Sequence, residues 1–329
     1  MRFGRIATAD ADQAILAHSL SVPGGKLKKG TVLGPDEIAK LTEAGIHTVT
    51  AGVLENGYLS ENDAALVMGT AFKTTGLRLG AVFTGRVNLL AEHDGVVRVD
   101  AAAIAALNGV DEGLTLATLP DYMRVHQGQL VGTVKIIPYG LPGAIVQHGA
   151  EAMGPTPITL HPFQGGEARL VMTRTSGFKA SLLEKGTDAV RKRLDSLGYK
   201  LSEVTVVDHE QEAVAKALKP ADLVLVLGAS ATSDRGDVAP AAVLQAGGQI
   251  DRFGMPVDPG NLLFLGQLDG APVVGLPGCA RSPALNGVDW VLERLSARLT
   301  VTGDDVAAMG VGGLLKEMAG RPQPRNPKP

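Results

Sequence analysis

The residues with the clearest potential for chemistry follow the abrupt end of an apolar run, in the segment LVLVLGASATSDRGDVAPAAVLQAGG (223–248). Gly228, Ala229 and Ser230 come first, and their small side chains allow backbone N–H groups to approach a phosphate closely. The loop then enters a predicted helix, whose N-terminus favours negative charge. These residues therefore predict an anion-binding loop between a strand and a helix.

Three carboxylates lie in or near this loop. Asp234 and Asp237 follow the small residues, and Asp208 ends the preceding predicted strand. Carboxylates beside a phosphate require a bound cation, and their oxygen ligands favour Mg²⁺. The alternative is structural: Asp237 caps the helix, Asp208 merely ends its strand, and Asp234 faces solvent. The loop by itself leaves both interpretations open.

Other kinds of site and partner are disfavoured by the sequence. The loop has neither the Gly-Lys-Ser/Thr of a P-loop nor the G-x-G-x-x-G of a dinucleotide site. No pair of the seven histidines has metal-ligand spacing, and a net charge of -3 predicts no nucleic-acid partner. With one cysteine, no signal-peptide pattern and no long apolar run, we expect a cytoplasmic protein without membrane contact.

The elements that must position these residues are clearest in residues 167–302. Apolar strands alternate there with amphipathic helices, as in ARLVMTR, SLLEKGTDAVRKRLDSLG, LSEVTVVD and DLVLVLG. This alternation predicts an α/β domain with a doubly wound, mostly parallel sheet. Ligands bind outside the carboxyl ends of the strands in such sheets. The predicted strand ends of interest are therefore TRTSGFK, VVDHE and LGASATSDRGD.

The rest of the chain divides into three further segments. Residues 1–75 are predicted to form an N-terminal α/β segment, and residues 76–165 a mixed α+β region of unknown type, which together make a smaller N-terminal part. Residues 303–329 are predicted to form a tail. From about Ala319 this tail is rich in proline and basic residues, which is typical of a disordered end or a linker.

Two Asp-Gly pairs predict tight turns, because this pair favours the two-residue turns of β-hairpins. VNLLAEHDGVVRVD is predicted to turn at Asp94-Gly95, and NLLFLGQLDGAPVVGLPG at Asp269-Gly270. Each would join two antiparallel strands that are neighbours in the sequence.

Several of these motifs, in this order, resemble the molybdopterin-binding domain family. ADLVLVLGASATSDRGDVAPAA is similar to the family's strand followed by Gly-Gly-Thr/Ser-Gly and Arg-Asp-Val-x-Pro-Glu-Ala. VVDHEQEAVAKAL is similar to its Val-x-Asp-Asp segment, with Asp208 at the first acidic place. VDPGNLLFLGQLDGAPVVGLPGCARSPA resembles the Pro-Gly and Gly-Leu-Pro-Gly stretch of molybdopterin molybdenumtransferases, and GTVLGPDEIAKLTEAGI the segment before their pterin domain. The resemblance covers most of 167–302.

The resemblance implies an α/β/α layered domain that binds molybdopterin, a pterin that carries a dithiolene and a phosphate. It implies Mg²⁺-dependent chemistry at that phosphate, with Asp237 and Asp208 as catalytic residues and ATP as a further candidate ligand. Asp208, Asp234 and Asp237 are the predicted metal ligands. The predicted pterin-binding residues are Thr175, Ser176, Gly177, Gly228, Ala229, Ser230, Arg235, Pro277, Gly278 and Cys279.

The chain departs from the family pattern at four places, the first of which is the strand end TRTSGFKASLL, which lacks the family's Thr-Gly-Asp/Asn-Glu or Ser-Asp form. Ala229 replaces the second glycine of the Gly-Gly pair, and Asp258 stands where a lysine usually precedes Pro-Gly. Cys279 replaces the asparagine that usually follows Gly-Leu-Pro-Gly. Lys179 or Arg235 is the candidate for the cation that is lost with the lysine. Cys279 either touches a sulfur-containing ligand or is a small packing residue in a tight turn.

Three functions remain open at the level of sequence. The first is an enzyme of molybdenum cofactor biosynthesis, similar to the adenylyl- or molybdenumtransferases. The second is a non-catalytic carrier or partner-binding module that holds the cofactor for other molybdenum cofactor proteins. The third is a nucleotide pyrophosphatase-like relative, since the competence-induced pyrophosphatase group shares this domain. Relatives of this family associate, so we expect a homo-oligomer.

Overall fold

The computed structural model describes residues 1–72, 75–177 and 179–315. Contacts between residues divide the chain into two compact units, Met1–Leu160 and His161–Pro329. The segments 1–75 and 76–165 of the sequence analysis thus fall almost entirely in one unit. Residues 316–329, where the disordered end of the tail is predicted, lie outside the described residues.

Unit 1 is built from short strands and four-turn or shorter helices. Its helices are α1 (Pro35–Glu43), α2 (Glu61–Ala71), α3 (Ala101–Asn108) and α4 (Gly143–Met153), with a short 3-10 helix at Thr8–Asp10. Its strands are β1 (Arg2–Ala7), β2 (Ile15–Leu16), β3 (Leu20–Val22), β4 (Gly25–Leu27), β5 (Thr48–Val53), β6 (Tyr58–Ser60), β7 (Leu77–Leu79), β8 (Arg86–Ala91), β9 (Gly95–Val99), β10 (Leu114–Thr118), β11 (Arg124–Val125), β12 (Leu130–Ile136), β13 (Gly140–Pro142) and β14 (Ile158–Pro162).

Local sequence signals explain where the first two helices of unit 1 begin. Pro35 occupies the first turn of α1, and the Glu37 carboxylate accepts the Gly34 backbone N–H at 3.1 Å. Ser60 caps α2 by accepting the Asp63 backbone N–H at 3.2 Å. These contacts satisfy backbone donors that have no partner within the helix.

Unit 1 contains two apolar clusters. The first surrounds β5, which lies between β1 and β2, and includes Leu41 of α1. The second is formed by the sheets β10-β12-β8-β7 and β11-β9-β14 together with α2, α3 and α4. Buried and more exposed side chains alternate along β8, where Val87 and Leu89 are buried in that cluster. This alternation gives each sheet one face toward the core.

The hairpin predicted at Asp94-Gly95 is wrong, because β8 and β9 belong to different sheets. The Asp94 carboxylate instead accepts the Gln127 backbone N–H at 2.8 Å and lies 3.1 Å from His126 Nδ1. Asp94 therefore anchors its turn to the loop between β11 and β12. The local Asp-Gly signal was outweighed by these contacts with a distant part of the chain.

Unit 2 has the regular alternation that its sequence predicts. Its strands are β15 (Gly166–Arg174), β16 (Tyr199–Asp208), β17 (Leu223–Leu227), β18 (Gln249–Phe253), β19 (Phe264–Leu268) and β20 (Ala271–Leu276). Its helices are α5 (Ala180–Asp195), α6 (Gln211–Ala217), α7 (Val238–Gln245), α8 (Gly287–Ser296) and α9 (Gly303–Ala308), with a short 3-10 helix at Gly278–Arg281.

The six strands of unit 2 form one sheet in the order β16-β15-β17-β20-β19-β18. Its neighbours β16/β15, β15/β17 and β17/β20 are parallel, whereas β19 is antiparallel to both β20 and β18. The predicted α/β class is confirmed by this mixed, largely parallel sheet. The hairpin predicted at Asp269-Gly270 is also confirmed, since β19 and β20 pair across these two residues and both have a positive φ.

Both faces of this sheet are covered by apolar side chains. Alternate residues of β17 point to opposite faces, as in a strand that is buried on both sides. Leu223, Leu225 and Leu227 join a cluster with residues of α5 and α8. Val224 and Val226 join a second cluster with residues of α6 and α7. The strand ends of the sheet are thus the places left for a ligand.

The described part of the predicted tail, 303–315, packs against the first of these clusters. It contains α9, and Val306, Met309 and Leu315 are buried in that cluster. Asp258 holds this segment by two backbone hydrogen bonds, to the Gly313 carbonyl at 2.8 Å and from the Leu315 N–H at 3.0 Å. These three residues of 303–315 therefore belong to the core of unit 2, whereas Val311 and Leu314 are exposed.

Candidate functional site

The order of the strands in unit 2 creates a topological switch point beside β15. From β15 the chain passes through α5 to β16 on one side, and then through α6 to β17 on the other side. Residues of α5 and α6 belong to the two different apolar clusters of the sheet. In open α/β sheets the crevice at such a point, outside the carboxyl ends of the strands, is the usual ligand site.

A cleft of about 600 Å³ lies at this point. Its lining residues are Arg174, Thr175, Ser176, Gly177, Asp208, His209 and Glu210. Four of them were predicted as site residues from the sequence, namely Thr175, Ser176, Gly177 and Asp208. Gly177 has φ +78°, a left-handed conformation that glycine adopts without steric cost. The structure therefore brings two of the three predicted strand ends together in one cleft.

An ion pair crosses this cleft between the ends of β15 and β16. Arg174 and Asp208 are directly opposite each other in the parallel register, and Arg174 Nε lies 3.1 Å from Asp208 Oδ1. The two side chains are 58% and 69% exposed. An ion pair this exposed contributes little to stability, so both groups can exchange this contact for a ligand at small cost.

A buried hydroxyl connects this cleft to the loop after β17. Thr173 is fully buried, and its Oγ1 accepts the Ala229 backbone N–H at 2.6 Å. The same Oγ1 lies 2.8 Å from His209 Nδ1. The His209 backbone N–H in turn donates to the Arg174 carbonyl at 2.9 Å. Ala229, a predicted binding residue, is therefore fixed relative to the cleft through Thr173.

Arg281 connects the same loop to the turn after β20. Its Nη2 donates to the Gly228 carbonyl at 2.6 Å, and its Nη1 lies 3.5 Å from the Gly278 carbonyl oxygen. Burial lowers the pKa of the Arg281 guanidinium from its ordinary value. Arg281 thus joins two predicted site segments, and sequence reasoning missed it because an arginine after a glycine-rich turn carries no local signal.

Cys279 in the turn after β20 is exposed, so it is not a packing residue of the core. Its sulfur accepts a hydrogen bond of 3.0 Å from Asn286 Nδ2. Asn286 is 1% exposed and also caps α8 by accepting the Val288 backbone N–H at 3.2 Å. The contact between Asn286 and Cys279 therefore ties this turn to the start of α8, while Pro277 beside it is buried.

The acidic residues of the loop before α7 make local contacts. Asp237 caps α7: its Oδ1 accepts the Val238 N–H at 2.8 Å and its Oδ2 the Ser233 N–H at 3.1 Å. Asp234 Oδ1 accepts the Gly236 N–H at 2.7 Å. These bonds are those of a helix cap and a tight turn. The cap that the sequence offered as an alternative role for Asp237 is therefore present.

The remaining candidates of this loop lie at its surface. Ser230 is exposed, and Arg235 donates through Nη1 to the Ile250 carbonyl of β18 at 3.2 Å. Lys179, the other candidate for the cation lost before Pro-Gly, is exposed at the start of α5. Neither Arg235 nor Lys179 lines the cleft. Of the cations in unit 2, Arg174 lines the cleft and Arg281 lies against Gly228.

The described residues do not fit a metal site made by the protein alone. No group of three or more histidine, cysteine, aspartate or glutamate side chains in the described ranges could hold a metal ion. Asp208 faces Arg174, while Asp234 and Asp237 accept backbone N–H groups of their own loop. Asp208, Asp234 and Asp237 are thus not gathered into one ligand set, and the role of Mg²⁺ stays a prediction.

Comparisons with known proteins return solved structures of low sequence identity and low TM-score. No family model and no curated protein matches the chain. It is similar to the molybdopterin biosynthesis MoeA protein from Pyrococcus horikosii, with 15% identity, a TM-score of 0.31, and coverage of 73% of this chain and 79% of that chain. The chain is also similar to the molybdopterin biosynthesis enzyme MoaB from Thermus thermophilus, with 15% identity and a TM-score of 0.28. This match covers 40% of this chain and 89% of that chain. A third similar structure is the protein CinA from Thermoplasma acidophilum, with 15% identity and a TM-score of 0.25. This match covers 36% of this chain and 91% of that chain.

Among the residues that the structure describes, no helix combines the length and the apolar character that a membrane span requires.

Proposed function

We propose that unit 2 binds molybdopterin in the cleft at the carboxyl ends of β15 and β16, as a step in molybdenum cofactor biosynthesis. The observation that carries this proposal is the mixture of groups along the cleft, together with the family motifs that surround it in the sequence. The cluster of α5 and α8 on one face and that of α6 and α7 on the other support the three-layered α/β/α arrangement expected for such a domain.

The cleft offers hydrogen-bond donors and acceptors that match the two polar parts of molybdopterin. Arg174, Thr175 and Ser176 supply a guanidinium and two hydroxyl groups that can donate to phosphate oxygens. Asp208 and Glu210 supply carboxylates that accept from the ring N–H and amino groups of a pterin. A ligand with both an anionic group and an N–H-rich ring satisfies both sets at once.

Within this proposal, the carboxylate contacts favour binding over catalysis. Both Asp237 oxygens accept backbone N–H groups, and in the described ranges Asp208, Asp234 and Asp237 do not form one ligand set. Phosphoryl transfer that depends on Mg²⁺ needs carboxylates directed at the metal. The non-catalytic carrier is therefore the preferred form of the proposal. A molybdenum- or adenylyltransferase-like activity with Mg²⁺ and ATP is the second form.

The experiment is isothermal titration calorimetry of the full chain with molybdopterin, with and without Mg²⁺ and ATP. We expect binding, and an Arg174→Gln variant should weaken it by about tenfold because a charge-assisted hydrogen bond is lost. Arg191→Gln is the matched control, since Arg191 is an exposed arginine of α5 paired with Asp188 and does not line the cleft. Unchanged affinity in Arg174→Gln, or no binding at all, contradicts the proposal.

The same samples separate the functions that the sequence left open. Binding without turnover supports the carrier. Hydrolysis of ATP that requires both Mg²⁺ and molybdopterin supports the transferase. Turnover of free nucleotides without molybdopterin supports the pyrophosphatase-like alternative. Light scattering on the same protein measures how many copies associate, and co-purification with molybdenum cofactor proteins tests the predicted partners.

A further inference from the structure

His209 is a residue of the cleft that the sequence motifs do not assign to any role. It follows Asp208 directly, at the second place of the family's acidic pair, where the chain carries an imidazole in place of a carboxylate. The side chain is half-buried and lines the cleft. An imidazole can donate a hydrogen bond to an anion, which a carboxylate cannot do when ionised.

The hydrogen bonds of Thr173 determine which nitrogen of His209 carries the proton in the neutral ring. Thr173 Oγ1 accepts the Ala229 N–H, so its own hydrogen is available for one further bond. The acceptor within reach of that hydrogen is His209 Nδ1 at 2.8 Å. In the opposite arrangement Nδ1–H would donate to Oγ1, and a fully buried hydroxyl hydrogen would lose its acceptor, which is unfavourable.

The favoured arrangement therefore places the proton on Nε2. Among the described residues the structure gives His209 Nε2 no hydrogen-bond partner. Nδ1 is directed at Thr173, and a Cβ placed on Gly228 would lie 3.8 Å from His209 Cε1. Thr173 thus occupies Nδ1 and leaves Nε2 as the ring nitrogen available to a ligand, and His209 lines the cleft together with Arg174, Thr175 and Ser176.

We infer that His209 donates its Nε2–H to the phosphate of the bound ligand, and that Thr173 is the positioning residue that sets this tautomer. The inference rests on the proposed function for the identity of the ligand, but the tautomer does not depend on it. A second consequence follows from the shared hydroxyl. Because Thr173 Oγ1 contacts both His209 and Ala229, it fixes the position of the histidine relative to the loop after β17.

The tautomer is measured by ¹⁵N NMR of histidine-labelled full-length protein without ligand. The spectrum is recorded at mildly alkaline pH. The His209 signals are assigned by their absence in His209→Gln. We expect Nε2 to carry the proton in the native protein and in Thr173→Ser, which keeps the hydroxyl. Thr173→Val should lose this preference. A proton on Nδ1 in the native protein overturns the inference.

Donation to an anion is tested by titrating inorganic phosphate into the same sample. The His209 Nε2–H signal should shift with a saturable dependence on phosphate, and the signal of a histidine that does not line the cleft, such as His148 of α4, should not. An unchanged Nε2–H signal at saturating phosphate overturns the inference. This test does not use molybdopterin, so a failure of the proposed function leaves its result readable.

Two substitutions separate the ring nitrogens when molybdopterin is the ligand. The amide of His209→Asn can replace Nδ1 in its contact with Thr173 but has no group at the Nε2 position. The longer His209→Gln can place an N–H near Nε2. We expect His209→Asn to weaken molybdopterin binding by about tenfold and His209→Gln by less, while both bind dephosphorylated molybdopterin like the native protein. Equal affinity of His209→Asn and the native protein for molybdopterin overturns the inference.

Discussion

Arg281 Nη2 donates a 2.6 Å hydrogen bond to the carbonyl of Gly228, which joins the turn after β20 to the loop after β17. Gly228 is buried, so its carbonyl cannot turn to water if this donor is removed. The Arg281 side chain also packs beside α5, since its Cγ lies 3.6 Å from where a Cβ on Gly186 would be. One side chain therefore fixes three segments around the proposed site.

This relationship predicts that Arg281→Met destabilises unit 2. The Gly228 carbonyl would remain buried without its donor, and the free energy of unfolding should fall by about 1–3 kcal/mol. Urea denaturation measures this change. Arg235→Met is the matched control, because Arg235 is exposed and donates to the Ile250 carbonyl of an edge strand, and its effect should stay within about 0.5 kcal/mol. Equal stability of the two variants would contradict the role given to Arg281.

The close approach of Gly165 and Gly198 predicts that alanine at these two positions lowers stability by different amounts. Gly165 and Gly198 have φ of +60° and +78°, so alanine at either position is strained by about 1–2 kcal/mol. A Cβ on Gly165 would lie 2.0 Å from the Gly198 carbonyl oxygen, whereas the nearest atom to a Cβ on Gly198 is 3.6 Å away. Gly165→Ala should therefore lower the free energy of unfolding by about 1–3 kcal/mol more than Gly198→Ala. Thermal and urea unfolding of the pair test this, and identical losses would show that the backbone relaxes freely.

The cap at Asp237 predicts that its two simplest variants behave differently. Asp237→Ala removes the acceptor for the Val238 and Ser233 N–H groups and should cost about 0.5–2 kcal/mol of stability. Asp237→Asn keeps a cap acceptor and should lose only a few tenths of a kcal/mol.

Calorimetry with molybdopterin then separates the cap from a metal role. If Asp237 acts only as the cap, Asp237→Asn binds like the native protein in the presence and absence of Mg²⁺. Loss of Mg²⁺-dependent binding in a variant of native stability would instead support Asp237 as a metal ligand.

The turn at Asp94 predicts a dependence of stability on pH. The hydrogen bond from the Gln127 backbone N–H, and next the contact with His126, hold the pKa of the Asp94 carboxyl below its ordinary value of 3.8. A carboxyl whose pKa is lowered by folding stabilises the protein above its unfolded pKa, and this contribution is lost as the pH falls through the folded value.

Asp94→Asn should therefore be less stable than the native protein near neutral pH, and the difference should shrink between about pH 5 and pH 2. Urea denaturation at several pH values measures it, with Asp12→Asn as the exposed control. A difference that is independent of pH would show that the charge of Asp94 does not matter.

Local patterns predicted the parts of the fold whose energetics are local. Asp237 caps α7 directly before its first residue, and the helix ends before Gly247, which has φ +88°, as the residue types indicate. The turn at Asp269-Gly270 forms because β19 and β20 are both present and adjacent. The same dipeptide at Asp94-Gly95 does not form a hairpin, since contacts with residues 126 and 127 decide its geometry. The Asp-Gly dipeptide is the same in both places, but the flanking strands pair with each other only at Asp269-Gly270.

The sequence by itself determined the alternation of strands and helices in unit 2, the strand ends at which a ligand would bind, and the family that these motifs resemble. Only the tertiary structure decided which side chains meet there. Thr173 is 36 residues from His209 and 56 from Ala229, and Arg281 is 53 residues from Gly228. These pairs meet because the crossovers place β16 and β17 on opposite sides of β15, with β20 beside β17. Strand order depends on the packing of the whole sheet, and no local pattern in the chain encodes it.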